Sequence, residues 1–239
     1  MGLKESGLRG SLRSVSTGVG IPDSEDLHAH YDAASFDLND GETITAWPDE
    51  TGQQGDVTGQ ATYVSDSAEY NGPAVSFDGT DDGLTTLDNE VGSGTQWESL
   101  PDPFHIFLVS VSFDSSSSDS RFVEFPGSSS YIFRQPDGDG AFEVNSNNNI
   151  TASFFDNNAH IHTYVGGSDA KYRIDGSEEG TSSTNRSLDG LSMGGSEGGA
   201  DGNRTEGEIA ELLIYDRELD TDTESQVEDY LSDKWGIPI

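Results

Sequence analysis

The chain has 239 residues, 11 Lys and Arg against 45 Asp and Glu, a formal net charge of −34, and no cysteine. That charge excludes nucleic acid as a partner, because phosphate backbones bind surfaces of the opposite sign, and the missing cysteine removes disulfides, thiolate metal sites and cysteine nucleophiles together. No apolar run approaches the roughly 20 residues a membrane-crossing helix needs, and no hydrophobic signal region stands at the N-terminus.

Residues 1–22 differ from the rest, with Lys4, Arg9 and Arg13 against the single acid Glu5. Leu8, Leu12, Val15 and Val19 recur at helical spacing, yet the glycines and hydroxyl residues between them make a poor helix in isolation. The segment is expected to be an extended arm that orders on a partner: Lys4, Arg9 and Arg13 pair with acidic subunits while Leu8, Leu12 and Val15 bury against them. Residues 23–239 form the second unit, a single domain. Short alternating segments at 42–47, 73–78, 121–125, 130–134, 141–144 and 150–154 predict strands, and the continuous run HIFLVSVSF at 105–113 predicts a strand covered on both faces. Further strands are expected at 160–166, 171–175, 190–194 and 208–216, separated by Asp-Gly turns and by Ser-rich and Asn-rich loops. Many short strands at this spacing imply a sandwich or barrel and not a parallel sheet. A single helix closes the chain: Thr221 as N-cap with Glu224 three residues on makes a capping box, Val227, Tyr230, Leu231 and Trp235 form its apolar face, and Lys234 and Gly236 mark its stop. Trp235 is expected to be its main buried contact with the sandwich.

Several segments together resemble the laminin-G-like, concanavalin A-like lectin and glucanase superfamily, of a haloarchaeal or haloarchaeal-virus type. These are Tyr31-Asp32-Ala33 followed by Trp47-x-Asp49-x-x-Gly52, VSFDGTDDGL at 75–84, HIHTYVGGSDAKYRIDGSEEG at 160–180, LSMGGS at 191–196, GEIAELLIYDREL at 207–219 and the YLSDKWGI ending. The resemblance spans about 27–237 and implies an all-β, two-sheet antiparallel jelly-roll sandwich with one C-terminal helix.

Such folds serve as lectins, hydrolases and spacers, so the site residues have to decide. Related glycoside hydrolases carry paired carboxylates on one strand, spaced Glu-x-Asp-x-Glu; retaining chemistry needs them about 5–5.5 Å apart. The nearest match, Glu218-Leu-Asp220-Thr-Asp222, falls on a strand end and helix cap, and strict alternation turns Glu211 away from Glu206 and Glu208. No Gly-x-Ser-x-Gly elbow is present. The expectation is therefore a non-enzymatic protein. His28/His30 and His160/His162 each put two imidazoles on one strand face, with packing as the expected role and zinc as the alternative. Asp78, Asp81 and Asp82 crowd one turn, the kind of oxygen-rich loop that holds calcium; no cofactor is required, and Ca2+ is the one candidate. Trp97, Tyr131 and Arg134 lie near loops and could stack on and hydrogen-bond a glycan, whereas Trp47 and Trp235 are expected in the core.

The acids run from Asp23 to Asp233 with no block of five like charges, and Lys occurs only at 4, 171 and 234. A shell of this kind repels itself in dilute buffer and is screened at molar salt, where the Debye length is about 3 Å. It reads as the composition of an extreme halophile; the alternative is an acidic secreted domain that binds calcium. The expected function is a virion structural protein of a halophilic archaeal virus: a capsid turret, decoration or tail-associated subunit displayed at the virion surface. It would be a homo-oligomer joined to other virion proteins through the arm, touching host glycans and inserting in no membrane. The alternative is a carbohydrate-binding adhesin of a haloarchaeal cell surface, and the third reading a glycoside hydrolase.

Overall fold

The computed structural model describes residues 20–86, 97–113, 120–126, 130–135, 142–143, 149–150, 156–182, 187–195 and 204–239. Lys4, Leu8, Arg9, Leu12, Arg13 and Val15 therefore lie outside the described residues. In chain order the strands are Leu27–Asp32 (β1), Thr43–Trp47 (β2), Val57–Val64 (β3), Ala74–Asp78 (β4), Gly83–Thr85 (β5), Leu100–Pro101 (β6), Phe104–Ser112 (β7), Ser120–Phe125 (β8) and Ser130–Gln135 (β9). They continue with Phe142–Glu143 (β10), Asn149–Ile150 (β11), His160–Gly166 (β12), Ala170–Ile174 (β13), Ser177–Ser182 (β14), Ser187–Leu188 (β15), Ser192–Met193 (β16) and Glu206–Tyr215 (β17), before the helix Thr221–Trp235 (α1).

All but β6 and β15, which pair with each other, join one antiparallel sheet in the order β11-β10-β9-β8-β16-β5-β3-β4-β17-β7-β12-β13-β14, with β1 on β17 and β2 on β3. The sheet folds over on itself into the two layers of an all-β sandwich, because one face of every long strand is apolar. Ile106, Leu108, Ile209, Leu212 and Ile214 from one layer meet Val57, Ala61, Leu84, Phe122 and Met193 from the other, all buried. The continuous run of β7 behaves as its sequence predicts. Phe104, Ile106 and Leu108 enter this inter-layer core, while Phe107, Val109 and Val111 face a second core beneath α1. Burying apolar surface on both sides is worth about 25 cal/mol per Å2 removed from water, and it makes β7 and its neighbour β17 the centre of the molecule.

The second core is built by Val227, Leu231 and Trp235 of α1 packing on Leu27, Phe107, Leu213 and Tyr215. The helix stops at Gly236, whose φ of 75° is the left-handed conformation that glycine adopts without a Cβ penalty. Its start differs from the sequence expectation. Asp220, not Thr221, is the N-cap and accepts the Thr223 amide at 2.9 Å, so the helix begins with Thr221 as its first residue. Glu224 is not spent on a capping box either, since its carboxylate turns into the sheet, 3.2 Å from His105 Nε2 and paired with Arg173.

Besides the two- and three-residue strands β5, β6 and β15, the longer strands β3 and β14 escaped the sequence. In β3 the buried residues are Val57, Ala61 and Tyr63, and Gly59 and Gln60 between them are both exposed at a register shift, which breaks the alternation. β14, SEEGTS, has no apolar residue; it is paired by backbone hydrogen bonds along β13 and carries Glu178 and Glu179, charges that keep a sheet edge from pairing with other chains.

Candidate functional site

The helix covers the outer face of β17, β7 and β12, and among the described residues no helix lies on the outer face of the other layer. Register defines which residues it presents. Thr58 lies opposite Thr85, Thr85 opposite Ser192, and Ser192 opposite Glu124, a row across β3, β5, β16 and β8. The adjacent register positions Leu84 and Met193 are buried in the inter-layer core, so Thr58, Thr85 and Ser192 point away from it, whereas β8 is buried on both faces around Glu124. Burial deepens along the row: Gln60 beside it is exposed, Thr58 and Thr85 are half-buried, and Ser192 and Glu124 are 2% and 5% exposed. Thr85 Oγ1 donates to the Leu191 carbonyl at 3.1 Å, and Ser192 Oγ to that of Gly195 at 2.8 Å. Arg121 Nη1 donates to Glu124 Oε1 at 2.7 Å. Hydroxyls, a carboxylate and a guanidinium side by side are groups that hydrogen-bond the hydroxyls of a sugar.

Of the three residues expected to meet a glycan, Tyr131 and Arg134 belong to β9, at the register positions opposite Glu124 and Arg121; their side chains lie outside what the structure describes. Trp97 is half-buried against the inter-layer core, 5.3 Å from the ring of His28 and 6.0 Å from that of Phe125. His28 is tied in turn to the Glu98 carbonyl at 3.1 Å, and burial holds its pKa down. Trp47 is fully buried, as expected. Its motif also has a local explanation: both Asp49 oxygens accept bonds within the turn, from Thr51, Gln53 and Gln54, and Oδ1 also takes the His30 amide at 2.8 Å.

The structure brings Asp78, Asp81 and Asp82 together, with one carboxylate oxygen of each within 4.8 Å of the others. Asp78 Oδ1 accepts the amides of Thr80 at 2.8 Å and Asp81 at 3.2 Å, and these hold its pKa below the ordinary value. Burial and the charge of Asp78 push Asp82 up.

The histidine pairs separate in role. His160 Nδ1 lies 2.6 Å from Asp175 and Nε2 3.1 Å from Asp156, so both ring nitrogens are taken by carboxylates. Burial pulls its pKa down, but those two carboxylates outweigh it and raise it. His162, fully buried against the Tyr172 hydroxyl at 2.8 Å, is held well below its ordinary pKa. His30 joins a cluster the sequence did not announce, with Asp32, Glu211 and Lys234. Burial pushes the Glu211 carboxyl up, yet His30 and Lys234 outweigh that and lower it. Burial also opposes the Lys234 ammonium, and Glu211 and Asp32 outweigh it, raising its pKa.

β17 shows why the carboxylate argument from sequence fails. A bulge between Ile209 and Glu211 breaks the alternation, which resets the phase. Glu208, whose Oε2 accepts from Ser67 at 2.6 Å, and Glu211, which accepts from Trp235 at 2.6 Å, then both face the helix side. Burial raises the Glu208 pKa.

Neither a protein-family model nor a curated protein matches the chain. Solved structures do. Domain 4 of AbnA, a GH43 extracellular arabinanase from Geobacillus stearothermophilus, in complex with arabinotriose, aligns with a TM-score of 0.60 at 18% identity over 86% of this chain and 98% of that one. Trypanosoma rangeli sialidase in complex with sialic acid aligns with a TM-score of 0.58 at 12% identity, over 90% of this chain and 34% of the sialidase. The same sialidase in complex with 2,3-difluoro-KDN gives 0.58 at 11% over 93% and 36%. The chain thus spans about a third of the sialidase's length. These likenesses bear on the fold alone, a β-sandwich. They also correct one expectation. The neighbours are glycoside hydrolases or parts of them, so the inference of a non-enzymatic chain is withdrawn; it relied on an unbroken alternation through 206–211 that the bulge in β17 removes.

Proposed function

We propose that the chain is a glycan-binding jelly roll of a halophilic surface assembly, with the sugar lying on the helix-free face over Thr58, Thr85, Ser192 and Glu124. The observation that carries this reading is the alignment, over nearly the whole length of both, with a domain that holds arabinotriose. The polar row supports it, because a sugar's hydroxyls need several partners at once and the strand register sets such partners side by side.

The assembly we propose is the virion of a halophilic archaeal virus, with the domain as a turret, decoration or tail-associated subunit and residues 1–22 as its anchor. The charge contrast favours an anchoring role, a leader of +2 before a body of −36. The residues after it are fixed to the body: Tyr215 donates to the Pro22 carbonyl at 2.8 Å, and Arg217 pairs with Asp23 at 2.5 Å and Asp26 at 2.6 Å. Deleting residues 1–20 leaves all of these contacts in place, so the truncated protein is expected to fold and melt as the parent does while failing to join the particle. Normal incorporation would refute the anchor.

Calorimetric titration of neutral oligosaccharides in molar potassium chloride tests the glycan site. Thr85→Val and Glu124→Gln are each expected to weaken binding about tenfold, the equivalent of about 1.4 kcal/mol, with the melting temperature as the check on folding. Full affinity in both variants removes the site from this face, and a folded parent that binds no sugar ends the glycan reading.

A further inference from the structure

On the opposite, helix-backed face, β1, β17 and α1 bring four groups to one point. One ligand atom from each of His30, Asp32 and Glu211 lies within 4.8 Å of the others. Lys234 Nζ stands among them, 2.8 Å from Asp32 Oδ2, 2.8 Å from Glu211 Oε2 and 3.2 Å from the Tyr230 hydroxyl, over the ring of Trp235 at 4.9 Å. Glu211 is buried and fully engaged, its Oε1 2.8 Å from His30 Nε2 and its Oε2 taking the Trp235 indole. An imidazole and two carboxylates converging from two elements are a ligand set that suits divalent transition metals. Here the charge at the centre is supplied by the chain itself.

We propose that this joint is a three-ligand cation site whose resident cation is the Lys234 ammonium, and that it takes a divalent metal of the zinc class when the ammonium is withdrawn. A tethered cation has an advantage in brine. Sodium or potassium at molar concentration competes for carboxylates with any dissociable ion, whereas a lysine of the same chain is neither exchanged nor chelated. The two carboxylates would keep their places around the metal, and His30 would bind it through Nε2 as the neutral imidazole that carries its proton on Nδ1. The site is separate from the sugar face, and its test does not depend on glycan binding.

Melting is followed in molar potassium acetate, which avoids chloride complexes of the metal. Lys234→Ala is expected to melt about 10 °C below the parent, as loss of one partner from a buried ion pair implies. Zinc should recover most of that loss, and cobalt(II) should develop the visible absorption of a nitrogen- and oxygen-ligated ion. The double variant Lys234→Ala, His30→Ala should melt low and ignore both metals. The parent should be indifferent to zinc, to cobalt and to EDTA. The proposal is overturned if EDTA lowers the parent's melting temperature, if the parent itself shows the cobalt absorption, or if Lys234→Ala, folded or not, responds to neither metal.

Discussion

Dialysed from molar potassium chloride into dilute buffer, the protein is expected to unfold. The expectation follows from where its few cations sit. Arg121 pairs with Glu124, Arg173 with Glu224 and Glu228, Arg217 with Asp23 and Asp26, and Lys234 with Asp32 and Glu211, while Arg204 is buried and donates to the Asp82 carbonyl. Among the described residues these cations are engaged in specific pairs, and with 45 acids against 11 cations most carboxylates have no counter-charge on the chain. At 10 mM salt the Debye length is about 30 Å, so those carboxylates repel one another across the whole domain; at 1 M it is about 3 Å and each sees little beyond its neighbours. The core that resists the repulsion is lean, with Leu, Ile, Val and Phe making up about a fifth of the chain. Far-UV circular dichroism through the dialysis is expected to lose the β signal completely and to regain it when salt is restored. Calcium at millimolar level in the dilute buffer should not rescue it. A compact protein in salt-free buffer would remove the halophilic setting from the proposal.

Trp235→Ala should be the most damaging single substitution on the helix. The side chain is 2% exposed, its ring lies 6.0 Å from that of Tyr70, and Gly72 packs so closely on it that an added Cβ would stand 3.3 Å from the ring. Truncation leaves a cavity beneath the C-terminal turn and takes from buried Glu211 one of its hydrogen-bond donors. A loss of about 4 kcal/mol is expected, a fall of about 12 °C in melting temperature at fixed salt. Trp235→Phe should restore part of it, since the ring returns but the indole donor does not. A variant within a degree or two of the parent would show that α1 is an accessory to the sandwich and not part of its core.

How much of this was legible depended on whether a residue's role is local. The run at 105–113 announced burial on two faces because every residue in it after His105 is apolar or small, and α1 announced itself through Val227, Leu231, Trp235 and the Gly236 stop. β3 was hidden by the exposed Gly59 and Gln60, and β14 by having no apolar residue, since their pairing is a property of neighbouring strands. The phase of Glu208 and Glu211 was misjudged because a bulge leaves no mark in sequence. His28 and His30 were visible as a pair, but the partners of His30 come from positions 211 and 234. The scarcity of lysine was the usable signal: one of three in the chain stands at 234, four residues after Tyr230, on the apolar side of a helix. The row Thr58, Thr85, Ser192 and Glu124 exists only once the strand register is known.

The most direct measurement is hydrogen–deuterium exchange in molar potassium chloride with and without saturating arabinotriose. Slowed exchange in β3, β5, β16 and β8, with α1 and β1 unchanged, is the result expected of a sugar seated on the helix-free face. Unaltered exchange throughout a folded protein, or protection confined to the helix side, would contradict it.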